Sequence, residues 1–160
     1  MIHKSTTTFI FLAASIVFSI PAYADFTGIV VGVADGDTIT VLRDHEQVRV
    51  RLAEIDAPEK AQPFGKQSKQ ILVTLVNGKE VRVVEQGQDR YKRTVGRVYQ
   101  DELDVGAEQV KKGMAWVYLK YSNDETLLPI EKEAKEQKLG LWADDDPTPP
   151  WVWRRAKKGH

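Results

Sequence analysis

The chain has no cysteine among its 160 residues. A disulfide framework and a thiolate zinc site are therefore both excluded. Stability has to come from packing, aided at most by a bound ion. Charge of one sign is also missing, because 23 Lys and Arg balance 23 Asp and Glu. This is not the composition of a protein that coats nucleic acid non-specifically. Internal repeats are absent. The apolar run Phe9–Ile20 falls short of the about 20 residues that a membrane span needs.

What that run does fit is a secretory signal. His3 and Lys4 form a positive start, Pro21 breaks any helix, and Ala22-Tyr23-Ala24 supplies a small-x-small cleavage site. Residues 1–24 are expected to be a signal peptide cut before Asp25, which implies a secreted or periplasmic protein without stable membrane association. An uncleaved anchor is the alternative. The remaining 136 residues carry 22 basic and 23 acidic side chains, a net charge of −1. That length suits one domain with a real core. We assign the domain to residues 25–143 and a Pro/Trp/basic tail to 144–160.

The first half reads as strands. Thr27–Val33 is apolar with Gly28 and Gly32 inside it, as in a bent strand. Asp35-Gly36 signals a turn, and Thr38–Leu42 resumes β character. Gln47–Leu52 alternates, with Val48, Val50 and Leu52 on one face and Arg49 and Arg51 on the other. Val81–Glu85 and Val95–Tyr99 are two further strands around a polar Gly87–Thr94 loop. Helical spacing predicts Gly65–Val76, closed by Asn77-Gly78, then Val105–Gly113, then about Glu125–Lys138 capped by Asn123-Asp124. Pro147–Trp153 is expected to be extended, its tryptophans packing anchors rather than a binding platform. Arg154, Arg155, Lys157 and Lys158 read as a solvated or frayed end. The fold class is α+β: a five-stranded OB-type β-barrel with about three α-helices.

The chemistry-bearing residues are acidic and basic. Asp35-Gly36-Asp37 sets two carboxylates around a glycine, and Asp56-Ala57-Pro58-Glu59 follows a strand end. Hard oxygen donors suit calcium or magnesium. Each cluster has an ordinary reading too: a β-turn for the first, a capped helix start for the second. Arg51 and Arg93 offer planar forks that match phosphate oxygens. Either could instead pair with a nearby Glu54 or Glu85. Taken together, two arginines, hard-metal carboxylates and a spare glutamate are the parts for attack on a phosphodiester.

The order Asp35-Gly36-Asp37-Thr38, then Arg51…Asp56-Ala57-Pro58-Glu59, then Asp89-Arg90-Tyr91-Lys92-Arg93 resembles the staphylococcal nuclease (thermonuclease) family. Gly113-Met114-Ala115-Trp116-Val117-Tyr118 and Gly140-Leu141-Trp142 extend the match, which runs from about Thr27 to Trp142. The resemblance implies a calcium-dependent endonuclease cutting DNA and RNA between phosphorus and the 5′ oxygen, leaving 3′-phosphate ends. It implies one calcium ion held by Asp37, Asp56 and the carbonyl of Ala57. Arg51 and Arg93 would grip the phosphate, and Glu59 would activate or orient the water. Tyr91 and Tyr121 resemble tyrosines near the nucleotide, with a structural role for each equally open. A monomer is expected.

Three positions depart from the family pattern. Ala57 replaces a threonine, Lys92 replaces a glycine between Tyr91 and Arg93, and Gly106 replaces an asparagine. Asp35 is not assigned to the metal. The alternatives are a non-catalytic OB-fold module that binds nucleic acid, and a secreted calcium- or saccharide-binding OB domain. Neither needs Arg51, Glu59 and Arg93 together.

Overall fold

The computed structural model describes residues 25–122 and 124–159. The expected signal peptide (1–24) and Asn123 of the expected helix cap lie outside the described residues. Five long strands carry the barrel: β1 (Phe26–Val33), β2 (Thr38–Arg43), β3 (Glu46–Leu52), β5 (Glu80–Gln88) and β6 (Thr94–Gln100). Three two-residue strands are added: β4 (Ile55–Asp56), β7 (Leu103–Asp104) and β8 (Trp116–Val117). The helices are α1 (Gly65–Val76), α2 (Val105–Lys111), α3 (Leu127–Glu136) and α4 (Pro150–Lys158), with a 3-10 turn at Gly140–Ala143. Among the described residues no helix is long and apolar enough to cross a membrane.

The main sheet runs β3-β2-β1-β5-β6-β7 and closes on itself through a parallel β3–β6 pairing. Closure removes the two exposed edges that an open sheet would leave. Alternation along β3 works as the sequence implies. Val50 and Leu52 are buried in the barrel, while Arg49 and Arg51 face away. Val30, Ile39, Val41, Val81, Val83 and Val98 fill the rest of the interior, and Leu72, Val76, Val105 and Val110 cap it from α1 and α2. The register of β1 on β2 shifts between Val30 and Gly32, so the glycine-bearing strand does bend there.

Where elements differ from expectation, local chemistry explains the change. β5 runs on to Gln88 because a bulge between Glu85 and Gly87 lets it keep pairing with β6. α2 stops at Lys111, and Gly113 takes the left-handed backbone that turns the chain (φ 63°). α3 starts at Leu127, since Pro129 has no N–H to donate and fits only the first turn. The Asp124 carboxylate accepts from the Thr126 N–H (2.8 Å) just before it.

The largest correction concerns the tail. Pro150–Lys158 is a helix, not an extended or frayed end. Pro150 sits at its first turn, where a preset φ favours helix. Trp151 stacks on Tyr118 (centroids 5.2 Å, rings 2° apart) and meets the edge of Trp116 at 5.8 Å. Trp116 meets Trp142 at 4.2 Å in turn. Trp151 is thus a packing anchor, as expected. Gln62 fastens the segment before α4: its side-chain amide donates to the Thr148 carbonyl, and its Oε1 accepts from the Glu59 N–H (3.1 Å).

The Asp35–Thr38 turn is more than a surface turn. Gly36 packs on Ser68 of α1 and on Ala57, and a Cβ at Gly36 would collide with both. Gln109 of α2, fully buried, donates to the Gly36 carbonyl (2.7 Å) and the Ser68 carbonyl (3.1 Å). Gly36→Ala should therefore destabilise the protein by about 2 kcal/mol through overpacking. Urea unfolding measures this, and an unchanged midpoint would show that the turn is free to move.

Candidate active site

Strand register assembles the site at the seam where the barrel closes. Thr38 of β2 pairs with Arg51 of β3, which sets Asp37 beside the Arg51 side chain. Val50 of β3 pairs with Thr94 of β6, which brings Arg93 to the same end. The Arg51 Nη2 donates to Asp56 Oδ1 (3.0 Å) and lies 3.3 Å from Asp37 Oδ2. Its Nη1 donates to the carbonyls of Leu52 (2.5 Å) and Ile55 (2.9 Å). One guanidinium thus ties two carboxylates to the chain that follows β3.

The other members join through side-chain contacts. Asp37 Oδ2 accepts from the Ala57 N–H (2.9 Å), and Asp37 Oδ1 accepts from the Thr38 hydroxyl (3.0 Å). Arg93 Nη1 donates to the same Thr38 hydroxyl (3.2 Å). Neither arginine pairs with Glu54 or Glu85. Arg93 is bound twice by Asp89 (Nε and Nη2, 2.7 Å each), and Glu54 lies beside Arg97 (3.6 Å). Arg97 also holds Asp104 and Asp124 (2.8 and 2.6 Å).

Asp89 shapes the loop that carries Arg93. Its carboxylate accepts from the N–H groups of Tyr91 (2.8 Å) and Arg93 (3.0 Å). Burial works against that charge, yet the bonds from Arg93 and Tyr91 hold the carboxyl below the usual range. Lys92 adopts φ 62°. A lysine there carries a steric cost that glycine would not.

Arg154 is the member that sequence reasoning missed. Its Nη2 donates to Asp56 Oδ2 (2.6 Å), and its Nη1 donates to Glu59 Oε1 (2.9 Å) and Asp56 Oδ1 (3.1 Å). These bonds raise the guanidinium pKa further. The basic run at 154–158 was the available signal, but nothing local separates its first arginine from a solubilising end. Asp37, Asp56, Ala57, Arg51, Arg93 and Glu59 are all brought together, directly or through Thr38 and Arg154. Tyr91 is 66% exposed and lines the cleft beside Glu59. Tyr121, 60% exposed, stands edge-on to Tyr118 at 4.9 Å, and it is Tyr118 that lines the cleft.

The electrostatics ask for positive charge. Asp56 is 1% exposed. Burial raises its pKa, the Arg154 bonds oppose the rise, and Asp37 adds to it. Burial also pushes Asp35 up, to about 6, with Asp37 contributing. In Arg51, burial lowers the pKa but Asp37 and Asp56 outweigh it, so the net shift is upward. Among the described residues no three His, Cys, Asp or Glu side chains form a metal-binding group. The two buried carboxylates that meet at this seam are Asp37 and Asp56. Two buried hard carboxylates already stabilised by guanidinium charge fit a divalent cation that completes its shell with carbonyls and water.

A model of the "Staphylococcal nuclease homologue" family matches residues 49–144, which include Arg51, Asp56, Glu59 and Arg93. The chain belongs to the staphylococcal nuclease family. Its OB-type barrel is that family's fold. It is 46% identical over 157 residues to a micrococcal nuclease of Shigella flexneri, covering 91% of this chain and 90% of that one. It is 48% identical over 143 residues to an uncharacterized endonuclease of Escherichia coli O157:H7, covering 88% and 94%. An uncharacterized endonuclease of Haemophilus influenzae is 48% identical over 130 residues, covering 81% and 73%. The family match stops at residue 144, so α4 lies beyond it.

The raised pKa of Asp35 gives a test with a definite sign. A carboxyl whose folded pKa exceeds its unfolded value costs stability as pH rises through the interval between them. Asp35→Asn removes that cost. In chelator, the variant should match the parent below about pH 4, near the unfolded aspartate pKa, and exceed it above about pH 6. Urea melts across pH decide it, and a constant difference at all pH values would contradict the burial argument.

Proposed function

We propose that this protein is a calcium-dependent nuclease that hydrolyses DNA and RNA phosphodiesters to leave 3′-phosphate ends, and that it acts outside the cytoplasm after loss of residues 1–24. The observation that carries this reading is the convergence of Asp37, Asp56, Arg51, Arg93 and Glu59 at one end of the barrel. Nuclease relatives at 46–48% identity support it. Asp37, Asp56 and the Ala57 carbonyl would hold one calcium ion. When bound, the ion supplies charge neutralisation at the phosphate.

The chain's own residues divide the remaining work. Arg51 and Arg93 bind phosphate oxygens and stabilise the charge that grows on them. Glu59 accepts a proton from the attacking water at a carboxylate oxygen. The water oxygen bonds to phosphorus, and the bond from phosphorus to the 5′ oxygen breaks, its electron pair staying on the 5′ oxygen, which takes a proton from solvent to become a hydroxyl. Glu59 is paired with Arg154 in the structure, and that guanidinium occupies its Oε1. For that oxygen to meet the attacking water, Arg154 has to withdraw from it. A non-catalytic nucleic-acid-binding role is the second reading, and it would not need Arg51, Glu59 and Arg93 together.

Digestion of plasmid DNA and of RNA by the mature protein tests the reading. Cutting is expected with calcium and not with chelator, and much less with magnesium, whose octahedral demand is stricter. No cutting with calcium would refute it. Glu59→Ala should lower kcat by about 10²-fold or more, and Arg93→Lys should also be poor because an ammonium lacks the fork. Full turnover by either variant removes the role assigned to that residue. Arg154→Ala should tighten calcium binding in calorimetry, since two cations compete for Asp56. Weaker binding would mean that Arg154 supports the ion instead.

A further inference from the structure

The helix α4, beyond the matched family region, lines a cleft of about 1000 Å³ that also takes in Glu59 and Tyr91. The chain as a whole is neutral, but this cleft is not. Seven basic side chains line it against two acidic ones, an excess of five positive charges. Arg154, Arg155, Lys157 and Lys158 of α4 supply four of the seven. Lys60, Arg90 and Lys120 supply the rest. Arg154 is committed to Asp56 and Glu59. Arg155, Lys157 and Lys158 are exposed on the helix and have no carboxylate partner among the described residues.

The cleft is aromatic as well as basic. Tyr91, Tyr118, Trp151 and Trp153 all line it. Trp151 is used up in stacking on Tyr118, whereas Tyr91 is mostly exposed. Trp153 has a buried ring N–H without a hydrogen-bond partner among the described residues, and the Lys157 ammonium lies 5.2 Å from its ring centre. Basic side chains interleaved with aromatic rings match a single polynucleotide strand, whose phosphates need cations and whose unstacked bases need flat apolar faces. A duplex keeps its bases stacked and would use only the cations.

We propose that α4 is a substrate-binding wall: Arg155, Lys157 and Lys158 contact the phosphates of a single strand flanking the cleaved position, and Trp153 contacts a base. The Gln62–Thr148 bond and the stacking of Trp151 on Tyr118 anchor the helix so that this wall stands beside Glu59. The proposal rests on the nuclease reading for which strand is bound, but its test does not need cleavage.

The experiment is fluorescence anisotropy of a labelled single-stranded DNA oligonucleotide with the full mature protein in chelator, over a range of salt concentrations. The triple variant R155A/K157A/K158A should bind more weakly. Its log–log salt dependence should be shallower by about 2, since each lost phosphate contact on a single strand removes about 0.7. Trp153→Ala should bind roughly fivefold to a hundredfold more weakly, the range for one stacked base, with its salt slope unchanged. Circular dichroism confirms that each variant keeps its fold. A triple variant with the parental slope overturns the proposal, as does a loss seen only with duplex DNA. A parent that binds but never cuts with calcium would refute the nuclease reading alone. A parent that cuts beside a triple variant of unchanged slope would refute this proposal alone.

Discussion

The structure turns on a pair of buried carboxylates, Asp37 and Asp56, that cannot be left without a cation. Burying an uncompensated carboxylate costs several kcal/mol even after relaxation. Arg51 lies between the two and spends its other amino group on the Leu52 and Ile55 carbonyls. That single guanidinium therefore fixes the turn before β2, the end of β3 and the path of the chain into β4. Arg154 adds a second positive charge from the far end of the sequence. The acid pair is thus the demand that organises the site, and it is where we propose that a divalent cation binds.

Barrel closure makes this arrangement possible. Arg51 and Arg93 are 42 positions apart in the chain, yet the parallel β3–β6 pairing sets their strands side by side. The Asp35–Thr38 turn is held from below by Ser68 and Gln109, so Asp37 is carried on packed backbone rather than on a loose loop. A site that must hold charge against charge within about 0.5 Å needs that kind of support. Only the 89–93 loop departs from it. There Asp89 does the shaping through its own carboxylate, and Lys92 bears the left-handed turn.

Much of this was legible in the sequence because the signals were local. Val48, Val50 and Leu52 alternate, Gly28 and Gly32 interrupt an apolar strand, and Ile71, Leu72, Leu75 and Val76 recur at helical spacing. The barrel and α1 follow from them. The candidate site residues were singled out by the order of short motifs, and the fold brings Asp37, Asp56, Arg51 and Arg93 to one end of the barrel. What escaped depends on distant partners. Two-residue strands such as β4 and β8 exist only because they meet each other. Gln109 reads as an ordinary polar helix residue until Gly36 and Ser68 are packed on it. Arg154 sits in a basic run that looks solvated, and α4 becomes a helix only with Trp151 against Tyr118 and Gln62 fastened to Thr148.

We propose that Asp37 and Asp56 share one divalent cation that competes with Arg154 for Asp56. Diffraction from crystals of the mature protein grown with calcium decides whether they do. A single ion bound by Asp37, Asp56 and the Ala57 carbonyl is expected, with the Arg154 guanidinium moved off Asp56. Calcium bound elsewhere, with Arg154 still bridging Asp56 and Glu59, would contradict it.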